Sequence, residues 1–139
     1  MRIKYIFILI LFLTSCTLSE FQSNQKISKL QESDIKILVP NGSLVNSIET
    51  SKNNINYLLG YNSNFEIEYI MPIDNKFSIN GLNNKSTLNE ILKNNNTEII
   101  KIPGWLPVVN IKNDWYAAFD DLCEHNVEDT VKFFFKYNF

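Results

Sequence analysis

The stretch Val131-Lys132-Phe133-Phe134-Phe135-Lys136-Tyr137-Asn138-Phe139 carries the clearest secondary-structure pattern in the chain. Apolar side chains at every second position are typical of a β-strand with one buried face. Phe134 interrupts the polar face and produces three adjacent aromatic residues. The stretch therefore predicts a strand that completes this protein's own sheet, which solubility favours, or an exposed edge that a partner could extend. In the second case the partner-binding residues would be Phe133, Phe135, Tyr137 and Phe139.

The segment before this strand has helical spacing. One face of the predicted helix would contain Trp115, Ala118, Phe119 and Leu122. The helix would end near His125. We therefore expect residues 114–139 to form a C-terminal helix followed by the aromatic strand.

A strand and a helix are predicted where residues 34–113 begin. The β-branched run Ile35-Lys36-Ile37-Leu38-Val39 predicts a strand that stops at Pro40-Asn41-Gly42. Ser43 then resembles the N-cap of a helix that ends at Lys52-Asn53-Asn54. The apolar residues at helical spacing in that segment are Leu44, Val45 and Ile48. Residues 57–64 would link this helix to the next strand.

The next strand is predicted from the alternation in Phe65-Glu66-Ile67-Glu68-Tyr69-Ile70. Glu66 and Glu68 would share its polar face. Two carboxylates at this spacing can act as an acid/base pair, but the sequence offers no companion histidine, metal-ligand set or apolar pocket. A solvated face is therefore the favoured interpretation.

A second helix is predicted from Thr87-Leu88-Asn89-Glu90, which matches the capping box. Ile91 and Leu92 would give it a buried face. Short extended segments are expected around it, at residues 77–79, 97–102 and 108–111. The predicted fold class is α+β: a small mixed sheet with two helices, in the order strand-helix-strand-strand-helix-strand, plus the C-terminal helix-strand extension.

The N-terminus resembles a lipoprotein signal peptide. Arg2 and Lys4 precede eight apolar residues, which are too few for a membrane-spanning helix of about 20 residues. Leu13-Thr14-Ser15-Cys16 then resembles the lipobox, with Leu13 and Ser15 as the residues that direct cleavage and Cys16 as the acylated residue. An ordinary secretory signal or a short uncleaved anchor is the alternative interpretation.

This resemblance implies a mature chain that begins at Cys16. Its N-acyl (palmitate) diacylglyceryl group would supply the several acyl chains that stable membrane anchoring requires. Thr17, rather than Asp, follows the cysteine, which in Gram-negative lipoproteins implies the periplasmic face of the outer membrane. Residues 1–15 are thus the expected signal peptide, and residues 16–33 the acylated cysteine with a polar, flexible tether.

Charge argues against a nucleic-acid partner. Loss of residues 1–15 would remove both Arg2 and Lys4, which leaves 11 basic and 15 acidic residues and a net charge of −4. A mature chain with this charge and without arginine lacks the basic surface that binds phosphates. We expect no nucleic acid among the partners.

Catalytic and metal-binding motifs are not evident in the sequence. Cys123 and His125 are two residues apart, so on a helix they would point in different directions, and a closed metal site needs four ligands. A buried Cys123 is the favoured interpretation. The sequence therefore predicts neither an enzyme, nor a metal site, nor a cofactor.

Three segments together resemble a known family. They are Gly42-Ser43-Leu44 at the start of the first helix, Phe77-Ser78-Ile79-Asn80-Gly81, and the helix with Leu88, Ile91 and Leu92. Residues 34–113 resemble the short N-terminal periplasmic (STN-like) domain of secretins, as in small lipoproteins similar to the toxin-coregulated pilus biogenesis protein Q family. The resemblance implies an accessory or assembly factor for a secretin or another envelope-spanning pilus or secretion complex. A periplasmic inhibitor or immunity-type lipoprotein, or a surface ligand-binding lipoprotein, is the alternative.

Overall fold

The structure is a computed structural model that describes residues 21, 25–26, 35–95, 97–120 and 128–139. Antiparallel β-structure dominates these residues. The strands are β1 (Lys36–Leu38), β2 (Leu44–Lys52), β3 (Ile55–Tyr61), β4 (Ile67–Pro72), β5 (Ile99–Ile100), β6 (Val108–Lys112), β7 (Trp115–Ala118) and β8 (Phe133–Tyr137). One helix, α1 (Leu88–Asn95), lies between β4 and β5 in these described ranges.

The strands form one sheet in the order β1-β2-β3-β4-β8-β7-β6-β5. Each half is an antiparallel meander, and β8 joins the halves by pairing with β4 on one side and β7 on the other. The α+β prediction is therefore wrong, because the described chain forms a large antiparallel sheet with a single short helix. The predicted mixed sheet and first helix are wrong for the same reason, and so is the α+β fold that the secretin resemblance implied.

Tight turns explain why the sheet replaces the first predicted helix. Asn53 and Asn54 both have positive φ, 55° and 61°, and they connect Lys52 of β2 directly to Ile55 of β3. Two consecutive residues with positive φ form the type I′ turn that matches the twist of a two-residue hairpin. Leu44 and Ile48 are four residues apart, and this separation places two side chains on one face of a helix and also on one face of a strand. The apolar pattern therefore did not distinguish a helix from a strand. Residues 44–52 form strand β2 instead of a helix because they pair with β1 and β3.

The predicted C-terminal helix is wrong where the structure describes it. Trp115 begins strand β7 instead of a helix, after a turn in which Asn113 and Asp114 have φ of 53° and 63°. Every residue of β7 is buried, because both faces of the sheet are covered at this point. A strand buried on both faces has no two-residue period, and its apolar residues can mimic a helical face. Residues 121–127, which include Leu122, lie outside the described residues.

Several elements are confirmed. The strand predictions at residues 35–39, 65–70 and 108–111 correspond to β1, β4 and β6, and residues 97–102 contain the short β5. The aromatic stretch forms β8. The capping box of α1 is present: the Thr87 N–H donates to Glu90 Oε2 at 2.9 Å, and the Glu90 N–H donates to Thr87 Oγ1 at 3.3 Å. Residues 77–79 lead into a tight turn closed by Ile79 and Leu82.

Apolar side chains cover both faces of the sheet. The first core lies on the face against which α1 packs, and it includes Leu88 and Ile91 of the helix, Leu59 of β3 and Phe134 of β8. The second core lies on the opposite face. Its buried members are Val39, Val45, Tyr69, Val108, Tyr116, Ala118, Phe135 and Tyr137. Helices long and apolar enough to cross a membrane are not found among the described residues.

Candidate functional site

Five candidate site residues lie outside the described residues. Leu13, Ser15 and Cys16 belong to the predicted lipobox, and Cys123 and His125 were considered as possible metal ligands. The interpretations of these five residues therefore stay predictions. Within the described ranges there is no group of three or more histidine, cysteine, aspartate or glutamate residues that could hold a metal ion.

The aromatic strand β8 occupies the interior of the sheet. Tyr137 pairs with Tyr69 of β4, and Phe135 pairs with Tyr116 of β7. Because both sides of β8 already have strand neighbours, its backbone is not an edge that a partner could extend. The structure thus shows the alternative in which this strand completes the protein's own sheet.

The side chains of β8 build an aromatic cluster on the second face. Phe135 stacks between Tyr69 and Tyr116, with ring centroids 5.6 and 5.3 Å away. Phe139 lies beyond the end of β8, is 60% exposed, and makes edge-to-face contacts with Tyr116 and Tyr137 at 4.9 Å. Of the four aromatic residues proposed for partner binding, Phe139 is the one that presents most of its ring to solvent.

Burial changes the acidity of two phenols in this cluster. Desolvation raises the pKa of Tyr69 well above its usual value, and the Tyr69 hydroxyl donates to Met71 Sδ at 3.5 Å. The pKa of Tyr137 is also raised, first by burial and then by the negative charge of Glu68. A phenol with its ordinary pKa is already neutral at physiological pH, and the raised pKa values extend the neutral form of both side chains to higher pH. Both act as packed aromatic groups.

Glu66 and Glu68 are held by an amide side chain. Asn62 Nδ2 donates to Glu66 Oε2 at 3.3 Å and to Glu68 Oε1 at 2.9 Å. The Asn62 Oδ1 accepts the Glu66 N–H at 3.1 Å and so fixes the loop before β4. These contacts give the two carboxylates a structural role in the β3–β4 connection.

An exposed apolar surface lies at β1. This strand is one edge of the sheet, and no strand among the described residues pairs with its outer side. Leu38 of β1 and Leu44 of β2 are directly paired, so their side chains lie on the same face, and they are 44% and 66% exposed. Ile35, just before β1, is also 61% exposed, but it lies opposite Ser47 and three residues from Leu38, which places it on the other face of the sheet. We call the surface formed by Leu38 and Leu44 the β1 edge patch.

Local structure fixes the β1 edge patch firmly to the sheet. In the turn from β1 to β2, the Val39 N–H donates to the Ser43 carbonyl at 3.0 Å, and the Ser43 N–H donates to Asn41 Oδ1 at 2.9 Å. The N–H and the hydroxyl of the buried Ser47 both donate to the Ile35 carbonyl, at 2.9 and 3.0 Å. The patch is thus a rigid, preformed surface.

The opposite edge of the sheet is smaller. Strand β5 has two residues, of which Ile100 is 41% exposed and Ile99 packs against the first core. Very short edge strands are one way in which proteins limit unwanted pairing. The β1 edge therefore offers the larger apolar surface of the two.

Comparison with known proteins gives no family assignment. No protein-family model matches the chain, and neither a curated protein nor a solved structure is significantly similar to it.

The β1 edge patch was not apparent from the sequence. The strand at residues 35–39 was predicted, but Leu44 was assigned to a helix, where it would not lie beside Leu38. The signal that could have located the patch is the Asn53-Asn54 dipeptide followed by alternating apolar residues at positions 55, 57, 59 and 61, because asparagine adopts the positive φ that a two-residue hairpin requires.

Proposed function

We propose that this protein is a lipid-anchored accessory protein of the bacterial envelope that binds a subunit of a secretin or another envelope-spanning pilus or secretion complex. The observation that carries the proposal is the β1 edge patch, an exposed apolar surface at an edge strand whose outer side has no strand neighbour among the described residues. The lipobox-like sequence at Leu13–Cys16 supports the anchored location. Binding, and not catalysis, is the activity that this arrangement supports.

The occupant of the β1 edge would be an extended segment of the partner that adds a strand beside β1. An edge strand presents N–H and C=O groups that such a segment can pair with, and neighbouring side chains then provide specificity. Leu38 and Leu44 extend the same face of the sheet as Ile48 in the first core. The partner strand is therefore expected to carry apolar side chains on that face.

The energetic contribution of the patch is moderate. Burial of a largely exposed leucine or isoleucine contributes about 1–2 kcal/mol at roughly 25 cal/mol per Å² of apolar surface. Two such side chains and a short ladder of backbone hydrogen bonds favour a reversible contact. Attachment of both proteins to the same membrane would raise their effective concentration and so compensate for weak intrinsic affinity.

The test is site-specific photocrosslinking in the host cell with the full-length, acylated protein. A photoreactive amino acid at Leu44 should give an adduct with a subunit of a multimeric envelope protein, identified by mass spectrometry. The same amino acid at Ile100, on the opposite edge, is the matched control and should give little or none. A Leu38→Lys variant should reduce the Leu44 adduct at least fivefold while its thermal unfolding remains cooperative.

Four results would contradict this proposal. Equal adducts at Leu44 and Ile100 would show that the β1 edge is not selective, and no adduct would show that it is unoccupied. An adduct with one small soluble protein would favour the inhibitor or immunity-type function instead. An adduct between two copies of this chain would identify the edge as a dimer contact.

A further inference from the structure

The residues before the sheet include a fixed aromatic contact close to the predicted lipid anchor. The ring of Phe21 packs edge-to-face on Tyr57 of β3, with centroids 5.3 Å apart. Lys52 Nζ lies 4.5 Å from the centroid of the Phe21 ring, a favourable cation–π distance. Phe21 is thus held at the end of the sheet where β2 turns into β3.

A second contact fixes the same part of the chain. The Gln25 carbonyl accepts the Ile67 N–H at 3.0 Å, and Lys26 forms an isolated antiparallel bridge with Glu66. Residues 16–33 were expected to be a flexible tether, but the described residues of that segment contact the sheet. The chain between the anchor and the sheet is consequently short.

The chain length sets an upper limit on the distance from the anchor to the sheet. Phe21 is five residues after Cys16. At no more than about 3.6 Å per residue, the Cα atoms of Cys16 and Phe21 are at most about 18 Å apart. An acylated Cys16 at the membrane surface therefore keeps the β2–β3 end of the sheet close to the lipids.

The other end of the sheet is farther away. Strand β2 has nine residues from Leu44 to Lys52, which corresponds to about 26 Å at roughly 3.3 Å per residue. Phe21 contacts Lys52, whereas the β1 edge patch contains Leu44. The anchored end and the patch thus lie at opposite ends of β2.

Two lysines lie at the end of the sheet that the anchor would hold near the lipids. Lys52 and Lys76 are both at the β2–β3 end, with Asp74 beside Lys76. The connection after β4 is joined to β3 there, since the Ile73 N–H donates to the Asn56 carbonyl at 2.9 Å. Lysine is attracted to an anionic membrane surface. Lysine is not confined to this end, because Lys26 lies against Glu66 at the other, so the orientation follows from the chain length and not from charge.

We propose that the β2–β3 end of the sheet faces the phospholipid surface and that the β1 edge patch points away from it. This inference rests on the proposed lipid anchor. Because Phe21 contacts Tyr57 and Lys52, a lipid attached five residues earlier would fix the orientation of the sheet relative to the membrane. The orientation leaves the β1 edge accessible to a partner in the aqueous space.

Two exposed serines at opposite ends of β2 provide a matched test. Ser51 lies near the membrane-facing end, and Ser43 directly precedes β2 at the other end. Each would be replaced by cysteine, one at a time, in full-length acylated protein that carries Cys123→Ser, and labelled with a small environment-sensitive fluorophore. The proteins would be placed in vesicles of phosphatidylethanolamine and phosphatidylglycerol, with and without spin-labelled headgroups.

The label at S51C should be quenched by the spin-labelled lipids at least threefold more strongly than the label at S43C. Phe21→Ala should reduce this difference, because the nearest fixed contact then becomes Gln25 and the maximum reach increases to about 32 Å. Equal quenching would mean that the sheet lies flat, and stronger quenching at S43C would mean the reverse orientation. No quenching at either position would also overturn the proposal.

Failure of the anchor can be separated from failure of the orientation. The mass of the N-terminal peptide reports whether Cys16 is acylated, and flotation with vesicles reports whether the protein is bound. Without acylation both proposals lose the anchor, whereas acylated, vesicle-bound protein with the wrong quenching pattern contradicts the orientation alone. Quenching at S51C that is equally strong without spin-labelled lipid would not arise from the lipids and would overturn the orientation.

Discussion

At the scale of single residues, Gly60 lies where β2, β3 and β4 leave too little room for a side chain. A Cβ atom at Gly60 would lie 2.9 Å from Val45 Cγ2 and 3.0 Å from Tyr69 Cβ. Contacts below 3.0 Å are not tolerated without movement, and Tyr69 Cβ is close to the backbone and cannot move easily. The requirement for glycine here is one of space, because the neighbouring strands bring these side chains onto the same face.

We expect Gly60→Ala to lower the free energy of unfolding by about 1–3 kcal/mol, the usual range for overpacking a core. Urea denaturation followed by circular dichroism would measure it. Val45→Ala removes one of the clashing atoms, so the double variant should lose less stability than the sum of the single variants. Strict additivity, or an unchanged midpoint for Gly60→Ala, would contradict the close approach seen at this position.

At the scale of elements, α1 shows that a local sequence signal can be sufficient to predict a helix. The Thr87 and Glu90 side chains satisfy N–H groups that the first helical turn leaves unpaired. The helix also packs Leu88 and Ile91 into the first core, so the local cap and the tertiary contacts favour the same structure. This agreement explains why the capping box predicted α1 correctly.

Thr87→Ala should reduce stability by about 1 kcal/mol through loss of the N-cap. Thermal unfolding of this variant should shift to lower temperature, whereas Thr87→Ser, which keeps the capping oxygen, should stay close to the unmodified protein. If the serine variant were as unstable as the alanine variant, the lost methyl contacts and not the cap would account for the effect.

Two turns show where element prediction failed. Asn53-Asn54 was predicted to end a helix, and Asn113-Asp114 falls at the expected boundary between residues 34–113 and 114–139, but neither was predicted to link a hairpin. As a result β2 and β7 were predicted as helices, and most of β3 as a connecting segment. Asparagine and aspartate adopt positive φ more readily than other non-glycine residues, so both dipeptides can form tight hairpin turns.

At the scale of the whole molecule, β8 holds the two meanders together. It pairs with β4 of the first half and with β7 of the second, and Phe135 is fully buried between Tyr69 and Tyr116. Residues 114–139 were predicted to be a C-terminal helix-strand extension that follows the domain at residues 34–113. In the structure, β7 and β8 from that segment lie within the central part of the sheet.

Phe135→Ala should destabilise the protein by about 3–5 kcal/mol, the range for removing a large buried ring. Because β8 contacts both halves, amide hydrogen exchange should accelerate by a similar factor in β3 and in β6. Phe139→Ala, which truncates the largely exposed ring at the end of the same stretch, is the control and should have a much smaller effect. Faster exchange confined to β6 and β7 would show that the halves unfold independently.

The sequence by itself determined the capped helix α1, the aromatic strand β8 and the strands β1, β4 and β6, because caps and two-residue alternation are local properties of neighbouring residues. Tertiary structure decided that Leu44–Lys52 is a strand and that β8 lies between β4 and β7. It also decided that Leu38 and Leu44 form one exposed patch. These outcomes depend on pairing between residues distant in sequence, since β-strands acquire their hydrogen bonds from neighbouring strands, whereas helices form them internally.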